Sequence, residues 1–385
     1  MIAPLGFRPP WHDLVCKLRK SLYGLRQAPR QWFFKLASAL RDYGFRQSPL
    51  DHSLFVYCTG DQFLAILIYV DDLVLTGSSP VHCRTFKRCL HQCFKLKDLG
   101  PLKYFLGIEV ARSPHGLFLC QRKYAFDILS ESGMLGAKPA VFPMEQNHWL
   151  TTKSGSPIAD PARYRRLVGH LLYLTITRPD LTYSVHILSQ FMHDPRQGHW
   201  EAAMRLLRYL KSCPGHGILL PVNNSLQLQA YCDSDWASCP MTRRSVTGYL
   251  LKLGPASVSW KTKKQATVSR SSSEAEYRAM ANVTSEVVWT RNLLKFLGIS
   301  VPSVHLYCDN LAALHIANNP VYHERTKHIE VDCHFVRECI ASGDIQPRYT
   351  PSTEQLADIF TKALGQRQFH YLLGKLGILN RHAPT

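Results

Sequence analysis

With 385 residues, 45% of them apolar, the chain is long enough to bury two or three domain cores. Its 46 Lys and Arg outnumber 28 Asp and Glu, and the net charge of +18 is shared between 19 basic and 11 acidic residues up to position 150 and 27 and 17 beyond. Charge spread in this way is no basic tail: it favours a polyanionic partner such as nucleic acid, held in a salt-sensitive manner, over a basic protein with no such partner. No apolar run reaches membrane-spanning length and no signal pattern opens the chain, so an intracellular, soluble protein with no membrane partner is expected.

The first ten residues hold three prolines and no helix or strand pattern, and 14–18 fits a short strand. Residues 21–32 then lead into a predicted helix over 31–43. Gly24 and Pro29 bracket a turn, and Arg26, Gln27 and Arg30 place donors at the helix start. Such a loop can hold a nucleotide phosphate or a template strand, or it is a Gly/Pro turn with solvated arginines. The apolar run 63–68, the tetrapeptide Tyr69-Val70-Asp71-Asp72 and the apolar run 73–76 read as a tight hairpin with two carboxylates at its tip. Adjacent carboxylates repel. Either a divalent cation such as Mg²⁺ neutralises them, as phosphoryl transfer requires, or they form a solvated turn.

Twelve cysteines include no C-x-x-C pair. Cys83, Cys89 and Cys93 lie near His82 and His91 at no common zinc spacing, and Cys89 and Cys93 read as buried thiols on one helix face in a reducing compartment. Next come a strand over 117–120, a helix over 123–132, a Thr/Ser/Gly/Pro-rich linker over 145–161, and helices over 164–174, 180–192 and 200–211. Arg163, Arg165, Arg166, Arg205, Arg208 and Lys211 face nucleic acid or make an ordinary solvated face.

Beyond Asn224 strands come first and helices later. Strands over 226–232, 245–253 and 256–261 precede a helix over 274–297 capped by 271–273, a strand over 304–308, helices over 310–317 and 331–341, a strand over 345–349 and a helix over 353–364. That order resembles an RNase H-like domain. Asp233 and Asp309 fall at strand ends, Glu276 in the first turns of the long helix and Asp358 in the last helix. Each alone reads as a surface group or cap. Converging on one sheet edge, the four can hold two Mg²⁺ ions (or Mn²⁺), one to activate water and one to stabilise the leaving 3′ oxygen.

Two sets of motifs carry a resemblance to copia-type LTR-retrotransposon reverse transcriptase and RNase H over nearly all of residues 5–365. The first is the run from Cys16 to Trp32, Gly44-Phe45, Asp51-His-Ser-Leu-Phe55, Tyr69-Val-Asp-Asp72 and the stretch from Lys97 to Val110. The second is Ala230-Tyr-Cys-Asp-Ser-Asp-Trp-Ala237, Ser271-Ser-Ser-Glu-Ala-Glu-Tyr-Arg-Ala279, Leu306-Tyr-Cys-Asp-Asn310, Arg325-Thr-Lys-His-Ile-Glu330 and Gln355-Leu-Ala-Asp-Ile-Phe-Thr-Lys362.

The resemblance implies an α/β (α+β) fold: partial palm and thumb over 1–144, linker and helical connection over 145–224, an RNase H-like domain over 225–365 and a C-terminal tail over 366–385. It implies Asp71, Asp72, Asp233, Glu276, Asp309 and Asp358 as catalytic metal ligands, with Asp235 and Glu274 as rival neighbours. Gly24, Arg26, Gln27, Arg30, Tyr69, Lys97 and Gly107 are implied in nucleotide or nucleic-acid contact. His328 and His334 contact phosphate, shuttle a proton or simply pack and cap. Implied partners are RNA–DNA hybrid, primer–template, deoxynucleoside triphosphates and a full-length retroelement polyprotein, in cytoplasmic virus-like particles and in the nucleus.

One departure is expected to matter. The family's third palm carboxylate belongs upstream of Met1, and Asp13 and Asp51 are poor substitutes. Primer extension is therefore expected to be lost and the apolar strand 63–70 to lie at an exposed edge. Hydrolysis of hybrid RNA is expected to persist, against the alternative of a non-catalytic nucleic-acid-binding remnant.

Overall fold

A computed structural model describes residue 22 and residues 24–319 and 329–380. His328 and most of the motif from Arg325 lie outside the described residues, as do Asp13 and the strand expected over 14–18. The chain divides after Gly100 into two compact units.

In the first unit, α1 (Ala28–Tyr43) starts with Pro29 in its first turn, where a missing N–H costs nothing, and ends on Gly44 at φ 109°. Strands β1 (Arg46–Gln47), β2 (Leu54–Thr59), β3 (Gln62–Tyr69) and β4 (Asp72–Gly77) form an antiparallel sheet in that order, followed by α2 (Pro80–Cys93). Leu64, Ile66 and Ile68 alternate along β3 onto one face, where Leu36 and Leu40 of α1 and Phe86 and Leu90 of α2 close the core. Trp32 packs at its margin. The apolar strand is thus central, paired on both sides, and β4 takes the edge; the expected exposed edge over 63–70 is corrected by this order. Cys89 and Cys93 do share α2, but Cys93 is exposed and Cys89 half-buried, because Phe86 and Leu90 hold the core face.

The second unit contains two sheets. Strands β5 (Tyr104–Phe105), β6 (Ile108–Ser113) and β7 (Gly116–Cys120) are followed by the helices α3 (Arg122–Glu131), α4 (Pro161–Leu174), α5 (Thr182–Ser189) and α6 (Gln197–Ser212), then by β8 (His216–Pro221). Next come β9 (Leu228–Asp235), β10 (Val246–Leu253), β11 (Ala256–Lys264), α7 (Ser272–Phe296), β12 (Val304–Cys308), α8 (Leu311–Asn318), α9 (Glu330–Ala341), β13 (Ile345–Tyr349), α10 (Gln366–Lys375) and β14 (Ile378–Asn380). One sheet runs β11-β10-β9-β12-β13, antiparallel through β9 and parallel from β9 to β13. Its order and the helices between its strands make it RNase H-like. The other sheet, β14-β8-β7-β6-β5, is antiparallel throughout.

Alternation on β10 shows how the first of these sheets is clothed. Tyr249 and Leu251 face a core built with α7, α8 and α9, while Leu250 faces a second core built with α3 to α6 and α10. A strand buried on both faces reads as a continuous apolar run. The stretch expected as a linker over 145–161 has no helix or strand until α4 begins at Pro161, but it is tied down: His199 bonds the Thr151 carbonyl at 2.9 Å and His148 bonds Tyr183 at 2.9 Å. Its Asp160 caps α4 through the Arg163 N–H.

Two expectations are corrected here. The helix over 353–364 is two 3₁₀ turns, Ser352–Glu354 and Leu356–Phe360, because Gln355 takes an extended conformation between them and its side chain accepts from the Ala357 N–H. Residues 366–380 are no tail: Phe369, Leu372 and Leu373 of α10 are buried in the helical core, and β14 pairs with β8.

Beneath α6, Arg178 and Asp180 form a fully buried ion pair at 2.7 Å. Arg178 also donates to the Cys213 carbonyl at 2.9 Å, and the Tyr209 hydroxyl donates to Asp180 at 2.8 Å. Removing one partner strands the other charge in a dry core. Asp180→Ala is therefore expected to lower the stability of the second unit by about 3–5 kcal/mol in urea unfolding, and Asp180→Asn by less; an unchanged midpoint would contradict the account.

Candidate active site

β9 and β12 are parallel neighbours, Tyr231 opposite Tyr307, so both chains leave the sheet at the same edge, β9 through Asp233 and β12 into Asp309. The start of α7 reaches that edge with Glu276, whose Oε1 accepts from the Ser234 N–H at 3.1 Å. Ser271 caps this helix, accepting from the Glu274 N–H. The second 3₁₀ turn brings Asp358, set between Ile359 and Leu356, which are anchored in the helical core. Carboxylate oxygens of Asp233, Asp309 and Asp358 lie within 4.8 Å of one another, and Glu276, Cys308 and Asp309 form a second group of the same spread. All four acidic residues expected together are thus brought together. Of the rival neighbours, Glu274 pairs with Arg278 at 3.0 Å and accepts from the Arg270 N–H, so it closes the helix start, while Asp235 lies outside both groups.

Close approach of the turn to the sheet depends on Gly248, opposite Asp233 on β10. A Cβ there would stand 2.6 Å from Thr361 Cγ2 and 2.8 Å from Phe360 Cβ. Thr361 donates its hydroxyl to Asp233, and Gln355, wholly buried, donates to the Cys232 carbonyl at 3.0 Å. Gln265 ties β9, β10 and α7 through Ser234, Thr247 and the Ala275 carbonyl. Ser352 donates to Asp309 at 2.6 Å. Lys362 places Nζ 2.8 Å from Asp358 and 3.3 Å from Asp233. Sequence reasoning missed all of these except as letters of a motif; only Lys362, four residues after Asp358, carried a usable signal.

Burial, then the charge of Asp233, raises the Asp358 carboxyl to about 7 in spite of Lys362. Glu276 is pushed well above the usual carboxylate range by burial and by Asp233, Cys308 and Asp309. Lys362 is raised: burial opposes its charge, and Asp233 and Asp358 outweigh that. Three carboxylates with converging oxygens form a hard donor set suited to Mg²⁺ or Mn²⁺.

The hairpin tip differs. β3 and β4 pair Tyr69 with Asp72, leaving Val70 and Asp71 as the turn, and Val70 sits at φ 48°, a strained value for a β-branched residue. Tyr69, Asp71 and Asp72 are exposed, and among the described residues no third acidic group joins the two aspartates in an ion-sized cluster. Asp51 is committed to a turn with Ser53. Gly24 takes φ 88°, and Arg26, Gln27 and Arg30 are exposed around the start of α1, whose first turn holds no acid. Lys97 is exposed beyond α2.

Gly107, in the other unit, has a local reason: with Leu106 it makes the β5–β6 turn at φ 77°, and an added Cβ would press on Tyr173 at 3.2 Å. Several helical cations also have local partners, Arg163 over Trp200, Arg165 on the Met192 carbonyl, Arg205 on Glu145 and Lys211 on the Ala137 carbonyl. His334 is exposed on α9 near Glu330. No described helix is long and apolar enough to cross a membrane.

An RNase H-like sheet with acidic side chains gathered at its parallel strand ends defines a class that works with divalent ions. Residues 1–146 match the family described as reverse transcriptase (RNA-dependent DNA polymerase). The retrovirus-related Pol polyprotein from transposon RE2 of Arabidopsis thaliana is 46% identical over 98% of this chain and 26% of its own length. That from transposon TNT 1-94 of Nicotiana tabacum is 34% identical over 96% of this chain and 28% of its own. RNase H1 from Halobacterium salinarum is similar over 35% of this chain and 94% of its own, at 16% identity and a TM-score of 0.26. The chain belongs to the copia-type retrotransposon Pol family, with its reverse transcriptase match over residues 1–146, and spans about a quarter of the length of these Pol relatives.

Gly248→Ala is expected to push the Asp358 turn off the sheet, lowering stability by about 1–3 kcal/mol and weakening any activity of the cluster; a variant as stable as wild type would show that the turn does not need this approach. A pH dependence also follows. In ion-free buffer the folded protein keeps the Asp358 proton up to about pH 7, whereas the unfolded chain releases it near the ordinary carboxylate value. Stability is thus lost as pH rises between those two values. Asp358→Asn, which cannot ionise, should gain thermal stability over wild type from pH 4 to pH 8; a constant difference would refute the burial argument.

Proposed function

We propose that the second unit hydrolyses the RNA strand of RNA–DNA hybrids at the Asp233–Glu276–Asp309–Asp358 cluster, with Mg²⁺ as its ion, two per site, and Mn²⁺ as a substitute. The observation that carries this reading is the convergence of Asp233, Asp309 and Asp358, from two strand ends and a separate turn, within 4.8 Å. A surface patch of acids has no reason to be built from distant segments and largely buried at this cost. Bound ions would supply an activated water and charge to stabilise the leaving 3′ oxygen. The chain's own part is to hold the donors: Thr361 orients Asp233, Ser352 orients Asp309 and the Ser234 N–H orients Glu276. The dispersed +18 charge supports a nucleic-acid substrate held largely through phosphates.

For the first unit we propose the role of a polymerase palm, with Asp71 and Asp72 as ion ligands and the Gly24, Arg26, Gln27 and Arg30 loop toward nucleotide and template. The family match supports this reading. Two exposed carboxylates on one hairpin do not make an ion cage, so synthesis needs a further acidic ligand from outside the described residues.

The test is hydrolysis of a labelled hybrid by the full chain in Mg²⁺ and by Asp309→Asn, which keeps size and removes charge. Cleavage should fall by about two orders of magnitude or more, as loss of one transition-state contact does, with an unchanged thermal transition. Undiminished cleavage by Asp309→Asn would reject the assignment.

A further inference from the structure

The cluster contains a cation of its own. Lys362 Nζ lies 2.8 Å from Asp358 Oδ1 and 3.3 Å from the Asp233 carboxylate, two of the three residues whose oxygens converge. Asp233 is almost wholly buried and Asp358 nearly so, and the Lys362 side chain keeps about a third of its surface in solvent. An ammonium so placed neutralises the repulsion that would otherwise open the cluster. It also stands against the same oxygens that a divalent ion would take, and like charges a few ångströms apart in a half-buried site repel strongly. Both cannot sit there.

The ammonium has somewhere to go. Lys362 lines a cavity of about 300 Å³ whose wall also carries Asp235, Tyr183, His148 and Ser238. Asp235 lies on β9 two residues from Asp233, outside both ion-sized groups, and is half-buried with no cation within ion-pair distance among the described residues. Because Lys362 and Asp235 line the same cavity, a rotamer change of the four-carbon stem would turn Nζ from the Asp233–Asp358 pair toward Asp235 while the backbone stays where Thr361 and Gln355 hold it.

Resting on the reading of the cluster as an ion centre, we propose that Lys362 is a resident counter-ion that competes with the divalent ion for Asp233 and Asp358 and moves to Asp235 when that ion enters. Lys362 is then a positioning residue that sets ion affinity, and Asp235 is the carboxylate that receives it. The arrangement keeps the acidic cluster folded before any ion arrives, at the expense of affinity.

The experiment is calorimetric titration of the full chain with Mn²⁺ alone, without substrate, for wild type, Lys362→Met, Lys362→Gln and Asp235→Asn. Both lysine variants should bind Mn²⁺ about tenfold or more tightly than wild type, although their ion-free thermal transitions fall. A lysine with a merely structural role would loosen ion binding when removed. Asp235→Asn should bind several-fold more weakly, because the displaced ammonium loses its second partner. Equal or weaker binding in both lysine variants overturns the competition, and unchanged binding in Asp235→Asn overturns the move to Asp235. Asp309→Asn, run beside them, separates the two levels: if it binds Mn²⁺ as wild type does, the ion centre itself fails.

Discussion

Mutual repulsion among Asp233, Glu276, Asp309 and Asp358 is the interaction around which the second unit is arranged. Like charges held within 4.8 Å and away from bulk water drive a protein apart unless something opposes them. Here the opposition is structural on every side. Parallel pairing of β9 with β12 fixes two acids at one sheet edge, and Gln265 locks α7 to the strands beneath Glu276. The Asp358 turn is driven onto the sheet by Leu356, Ile359 and Phe360, whose burial in the helical core supplies the apolar free energy that the acids spend. Proton uptake and Lys362 remove what charge remains when no ion is present.

The two acidic sites of the chain solve this problem in opposite ways. At the hairpin, Asp71 and Asp72 stay in water, where their repulsion is weak, and the strain falls on the backbone of Val70 instead. Among the described residues of the first unit no acidic cluster of ion-binding spread is found. In the second unit the acids are taken out of water, so folding, protonation and ion binding become one coupled equilibrium. The helical block and the C-terminal helix α10 belong to that equilibrium too, because the core that seats the Asp358 turn is largely theirs.

Much of this was legible in the sequence, for physical reasons. Strand ends followed by Asp, a Ser-capped long helix and an apolar-acid-acid-apolar hairpin are local patterns, and each appears within a few residues of its expected bounds. What escaped is what depends on contacts between distant segments. Gly248 looks like an ordinary strand glycine until Thr361 is placed against it. Gln355 and Gln265 look like surface amides until they are seen buried and donating to distant carbonyls. The 3₁₀ turn at Asp358 cannot be told from an α-helix by sequence, because Leu356, Ile359 and Phe360 keep a spacing that suits either. The period of α10, with Phe369, Leu372, Leu373 and Leu376, is present in the sequence of the expected tail, and its core partners come from distant helices. Gly107, expected near nucleic acid, answers to the tight turn against Tyr173.

The central claim, that four acids from separate segments form one divalent-ion centre, is tested most directly by anomalous diffraction from crystals of the protein grown or soaked with Mn²⁺. The account predicts an anomalous peak between Asp233, Asp309 and Asp358, with ligand distances expected for oxygen donors and with Lys362 turned away from it. Crystals whose protein retains hybrid cleavage yet place Mn²⁺ elsewhere, or show Lys362 still bridging Asp233 and Asp358 with no ion beside them, would contradict it.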